Sequence, residues 1–151
     1  MVGALPAILS HLESTYPNEG CGVILRTAAG AFEVRPLPNV YDRYHAVDPD
    51  GFPRTSATAY FFDPRQWLAL SEEAERTGAT IACIFHSHCD VGAYFSAEDK
   101  AMAAPDGIPV MPGTVYWVIA VDQRHATAVK GYRWSGDGFA EEGVPLPPRG
   151  S

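Results

Sequence analysis

Two histidines separated by one residue, His86 and His88, end an apolar run; after seven intervening residues comes Ser96, and three positions beyond that Asp99. In an extended segment the side chains of residues i and i+2 share a face, so both imidazoles can converge on one ion. Asp99, in the first turn of the helix that Ser96 opens, can fold back as a third donor. Two neutral imidazoles and a carboxylate suit Zn²⁺ and leave one tetrahedral position for water, the arrangement of a catalytic rather than a structural site. Zinc in such a site lowers the pKa of a water to about 7.

Hydrolysis there needs a proton shuttle and a group to hold a developing oxyanion. Glu19, just ahead of the first apolar strand in Asn18-Glu19-Gly20-Cys21-Gly22, is the shuttle candidate. Ser96, three residues before a candidate ligand, is the oxyanion candidate.

Glu19 upstream, then His86-x-His88, seven residues, Ser96, two residues and Asp99, resemble the JAMM (MPN-plus) metalloprotease motif. Glu19-Gly20-Cys21-Gly22 also resembles the Glu-x-Cys-Gly opening of short prokaryotic members. The resemblance implies a cytidine-deaminase-like α/β fold, zinc on His86, His88 and Asp99, Glu19 as general acid/base and Ser96 as oxyanion stabiliser. It further implies cleavage after the C-terminal Gly-Gly of a ubiquitin-like protein. The chain is short for the insertions that grip ubiquitin chains, which favours a small sulfur-carrier protein as partner. Two positions depart from the family pattern: Cys89 and Phe95 stand where proline is common. They bear on the shape of the loop from Cys89 to Phe95, and so on the substrate.

Plainer readings stand beside these. The two histidines could end a strand without a metal, Ser96 and Asp99 could only cap a helix, and Glu19 could be an ordinary turn acid. Cys89 could bind metal or oxidise. Cys21 and Cys83 read as core residues, and His11, His45 and His125 as isolated ones. A non-catalytic scaffold and a zinc amidohydrolase acting on a small molecule are the competing functions.

The elements that must position the site follow from pattern. Leu5, Ile8, Leu9 and Leu12 share one helical face, predicting a helix over about 3–16 that Pro17 closes. Cys21 to Leu25 reads as a buried strand, with a hairpin partner at Phe32 to Val34. Residues 36–56, with four prolines and three aspartates, predict a loop that could fold over the site, its Tyr41, Tyr44 and Phe52 either lining a groove for an extended peptide or simply folded onto the domain. Ala59 to Phe62 reads as a strand. Asp63-Pro64 predicts a helix start, with Trp67, Leu70 and Ala74 inward and Gly78 as its stop. Thr80 to Phe85 is the central strand, and Ser96-x-x-Asp99 has the form of a capping box. Thr114–Val121 and Ala126–Trp134 are two late strands. The expected whole is an α/β (α+β layered) single domain over residues 1–134, with a mixed central sheet flanked by helices and an irregular Gly/Pro-rich tail over 135–151.

Composition narrows the partners. The 151 residues suffice for one domain, and a formal net charge of −7 disfavours nucleic acid and anionic membranes. Three cysteines without CxxC spacing point to a reducing compartment, and the start lacks a basic secretory region, so the expectation is a cytoplasmic protein.

Overall fold

In a computed structural model that describes residues 1–148, a mixed six-stranded sheet lies between helices, in a single domain. In chain order the elements are α1 (Leu5–Thr15), β1 (Cys21–Arg26), β2 (Phe32–Leu37), α2 (Tyr41–Val47), α3 (Pro64–Thr77), β3 (Thr80–Cys89), α4 (Ala97–Ala103), β4 (Val115–Asp122), β5 (His125–Trp134) and β6 (Phe139–Val144). Strand order is β2-β1-β3-β4-β5-β6, with β3 and β4 parallel and the other neighbours antiparallel.

Each face of the sheet has its own core. Leu5, Ile8 and Leu12 of α1 pack on Cys83, Phe85, Trp117 and Ile119. On the opposite face Leu70 of α3 and Ala103 of α4 pack with Ile84, Tyr116 and Val118. Strand alternation then fixes the polar continuation of β3. His86 and His88 share parity with Ile84 and face α3 and α4, whereas Ser87 faces α1 with Phe85. β3 and β4, in the middle of the sheet, are covered on both faces, which is why both carry long apolar runs.

The helix boundaries follow their caps. The Asp63 side chain accepts the Arg65 amide, Pro64 occupies the first position, and Gly78 closes α3 in the left-handed conformation at φ 74. Ser96 and Asp99 form a full capping box at the start of α4.

Three expectations are corrected. The 36–56 stretch is not all loop: it contains α2, whose N-cap residue Val40 has no capping side chain and which an aromatic group of Tyr41, Tyr44, Phe52 and Phe61 holds in place. Those rings pack on one another and so form a small core of their own. Ala59 to Phe62 is no strand and makes a single bridge, Asn39 with Phe62. The Asn39 side chain takes over the ladder's role, donating to the Glu19 and Ala59 carbonyls and accepting from the Tyr41 and Phe61 amides. Finally, the segment after 134 is regular as far as β6, which pairs with β5 from Val129↔Val144 to Trp134↔Phe139. Phe139 seats it against Phe95, Tyr116 and Trp134. The rest of the expected tail, 149–151, lies outside the described residues. Among the described residues no helix is long and apolar enough to cross a membrane.

Candidate metal centre

β3 delivers two imidazoles and the first turn of α4 delivers a carboxylate to one point. His86 Nε2 and His88 Nε2 are 3.1 Å apart, and Asp99 Oδ2 lies 3.3 Å from each. Ligand bonds of about 2.0–2.1 Å around a tetrahedral ion put its corners about 3.3–3.4 Å apart. The three donor atoms thus have the spacing of three corners of a tetrahedron, and the three residues form a group able to hold a metal ion.

The proton arrangement agrees. His88 Nδ1 lies 3.2 Å from the Gly92 carbonyl, to which it can donate only if its proton sits there. That tautomer turns the Nε2 lone pair toward the Asp99 carboxylate and His86. Acceptors crowded at this distance repel one another in the absence of a cation. The His86 Nδ1 has no hydrogen-bond partner among the described residues, and the ring is instead held flat against Tyr60, centroids 4.4 Å apart at 27°.

All three groups are withdrawn from solvent, with exposures of 1% for His86, 4% for His88 and 8% for Asp99. Burial pulls the His86 imidazole below its ordinary value, favouring the neutral form that ligates. Burial alone would raise Asp99. When protons take the place of an ion between the rings, the charge of His86, hydrogen bonds from both imidazoles and the Ser96 amide outweigh it and hold the carboxyl well below the usual range. Ser96 donates that amide to Asp99 Oδ2 at 3.0 Å, while its hydroxyl oxygen accepts from the Asp99 amide at 3.0 Å. The cap uses an oxygen lone pair of Ser96, so the hydroxyl proton stays available.

Glu19 lines the same cleft as His88, Ser96 and Asp99, with Arg54 and Tyr60 nearby. It is only 5% exposed. Burial pushes its carboxyl up to about 9, the Asp99 charge adds to the rise, and Arg54 opposes it. Its backbone is fixed from two sides: the amide donates to the Ser56 carbonyl at 2.7 Å and the carbonyl accepts from Asn39 at 2.9 Å. The structure therefore brings Glu19, His88, Ser96 and Asp99 into one cleft, with His86 buried behind it against His88 and Asp99.

Four residues in or behind the cleft carry no sequence signal strong enough to mark them for the site: Tyr60 and Arg54 line it, and Ser87 and Asn39 hold its backbone. Ser87 hydrogen-bonds the Gly20 backbone at 2.8 Å, and its place between the histidines, on the opposite face by alternation, was the available signal. Tyr60, Asn39 and Arg54 reach the site from the long connection between β2 and α3, where no periodicity marks them. Arg54 bridges to Glu98 of α4 at 2.5 Å across the cleft mouth. Of the three cysteines, Cys21 and Cys83 are buried as expected, and Cys89 is half-buried at the cleft wall. Burial pushes the Cys89 thiol up to about 11, away from the thiolate a nucleophile needs. Phe95 is buried and stacks on Tyr132, centroids 4.8 Å apart at 13°, so an aromatic anchor stands at this departure from the family pattern.

A family model described as prokaryotic homologs of the JAB domain matches residues 2–134. A protein from Desulfitobacterium hafniense, solved in solution, superposes with a TM-score of 0.66 at 25% identity, over 97% of this chain and 90% of that one. A solution structure from Salinibacter ruber gives 0.58 at 24% identity, covering 96% and 88%. A JAB1/MPN domain protein from Archaeoglobus fulgidus gives 0.51 at 16% identity, covering 91% and 90%. No curated protein matches the chain.

Proposed function

Because the chain belongs to the family of prokaryotic JAB-domain homologues, we propose that it is a zinc-dependent peptidase or isopeptidase. It would cut the bond after the C-terminal Gly-Gly of a ubiquitin-like or sulfur-carrier protein. The observation that carries this reading is the triangle of donor atoms on His86, His88 and Asp99, with Glu19 buried in the same cleft.

Zinc held by these three residues would supply Lewis acidity and a nucleophile at neutral pH. The chain's own groups supply the rest. Asp99 and the two imidazoles set the ligand geometry, with His88 oriented by the Gly92 carbonyl and His86 by Tyr60. Glu19 takes a proton from the attacking water and hands it to the leaving amine. Its raised affinity for protons suits a group that must hold one in mid-reaction. The Ser96 hydroxyl, its oxygen already accepting from the Asp99 amide, donates toward the developing oxyanion.

The test is elemental analysis of the purified protein beside His88→Ala, followed by incubation with a carrier protein fused through its Gly-Gly end. About one zinc per chain, lost in the variant, with cleavage after Gly-Gly, is the expected result. Absence of zinc after reconstitution would remove the hydrolase reading. Zinc without cleavage of any Gly-Gly fusion would remove the substrate class and leave the metal site.

A further inference from the structure

An unbroken run of rings leads away from the metal centre. His86 stacks on Tyr60, Tyr60 meets Phe62 edge-on at 5.4 Å, and Phe62 stacks on Trp67 of α3 at 5.3 Å and 7°. A second cavity lies along this wall, with Ile84 and Tyr116 of the sheet also lining it and both almost fully buried. Met102 and Val110 line it as well and are 46% and 63% exposed, so the cavity opens to solvent through apolar side chains. Asp99 is the only charged group lining it among the described residues, and Asp99 is a candidate metal ligand.

Continuity with the catalytic cleft identifies the occupant. Tyr60, Asp99 and Met102 line both cavities. A bound chain advances at most about 3.3–3.6 Å per residue, so the side chain entering a cavity walled by a ligand belongs to a residue next to the reacting bond. On the reading above, the acyl side of that bond is Gly-Gly and has no side chain to offer. We infer that this cavity is a specificity pocket for a bulky aliphatic or aromatic side chain on the residue whose amine is released. The inference rests on the proposed peptidase function and adds to it a selection on the leaving side. An acidic side chain there would be desolvated beside Asp99, and glycine would leave the ring wall bare.

The experiment uses the full zinc-reconstituted chain and a matched series of fusions Gly-Gly-Xaa, with Xaa as Leu, Phe, Gly or Asp. It is read as kcat/KM and, separately, as quenching of tryptophan emission by leucinamide, since Trp67 lines the pocket. Leu and Phe should exceed Gly and Asp by at least tenfold, as burial of one such side chain gives roughly ten- to hundredfold. In Val110→Asp, a substitution at an exposed rim position, the Leu-to-Gly ratio should collapse toward unity and the leucinamide response should weaken. Equal rates across the series, or a preference that survives in Val110→Asp, would overturn the pocket while leaving the peptidase reading intact. If no Gly-Gly fusion is cut, the substrate reading fails, and emission alone decides the pocket. Quenching by leucinamide that Val110→Asp weakens would support it, and no quenching would overturn it.

Discussion

Gly20 and Ser87 exchange two hydrogen bonds: the Ser87 amide donates to the Gly20 carbonyl at 3.0 Å, and the Gly20 amide donates to the Ser87 hydroxyl oxygen at 2.8 Å. One residue follows Glu19 and the other separates the two imidazoles, so this pair ties the candidate base to the candidate ligands. From the other side, α1 crowds position 20. A Cβ there would come within 2.5 Å of Thr15 Oγ1 and 2.7 Å of Leu12 Cδ2 on α1.

Ser87→Ala should therefore separate metal binding from turnover. It strands the buried Gly20 amide at a cost of about 1–3 kcal/mol, while the three metal donors stay on the other face of β3. We expect unchanged zinc stoichiometry, a lower Tm, and kcat down about tenfold, the scale of a slightly misplaced catalytic group. A variant with wild-type kcat would restrict the pair to a role in the fold.

Tyr60 orients His86 by its ring rather than by its hydroxyl. Tyr60→Phe should keep zinc affinity within a few-fold, whereas Tyr60→Ala should lose about 10–100-fold, the usual cost of an outer orienting partner. Competition titrations against a chelating dye would measure both. Equal losses in the two variants would give the hydroxyl the role assigned to the ring.

Glu19 fixes a pH dependence in the metal-free protein. Its folded pKa of about 9 stands above the ordinary 4.5, so between these values the folded chain binds a proton that the unfolded chain has released. Stability from this group is thus full below about pH 4.5 and declines as pH rises toward 9, by at most about 1.4 kcal/mol per unit. Glu19→Gln should flatten that decline and unfold at higher urea than the wild type at pH 8. Parallel stability curves for the two proteins from pH 5 to 8 would contradict the assignment.

Phe139 should matter to a site it does not touch. It closes the aromatic group around Phe95, the residue before Ser96, with centroids 5.0 Å apart. Phe139→Ala should cost about 2 kcal/mol in urea unfolding, below the fully buried range because the ring is half-exposed. It should also reduce kcat by loosening the start of α4. A stability loss with kcat unchanged would confine β6 to holding the sheet edge.

What the sequence disclosed was local. α3 is announced by Asp63-Pro64 at one end and Gly78 at the other, and both act as read. β3 was recognisable because a strand covered on two faces must be continuously apolar, and its period places His86 and His88 together. Ser96 and Asp99 were legible twice over, as capping box and as motif. The elements missed are those that local signals do not determine. α2 depends on Phe52 and Phe61 packing against Tyr41 and Tyr44. The stretch from Ala59 to Phe62 lost its ladder to one asparagine side chain from another segment. β6 hides in a Gly- and Pro-rich run because its register comes from Phe139 meeting Phe95, a contact between residues 44 positions apart. Tyr60 and Arg54 reach the cleft by the same kind of long-range packing.

The parallel pairing of β3 with β4 obliges the chain to return across the sheet, and the third candidate metal donor, Asp99, rides on that return. The return is moored at both ends of its first loop. Asp90 is fastened by Tyr16, Gln123 and Val121, and Phe95 by its rings. Only residues 91–94 span the interval between moorings. Two of them serve His88, Gly92 through its carbonyl and Tyr94 through its ring, whereas the exposed Val91 side chain can vary without displacing an imidazole or a carboxylate. A lineage built on this plan can vary the cleft wall at that one position while keeping the candidate ligand group in place.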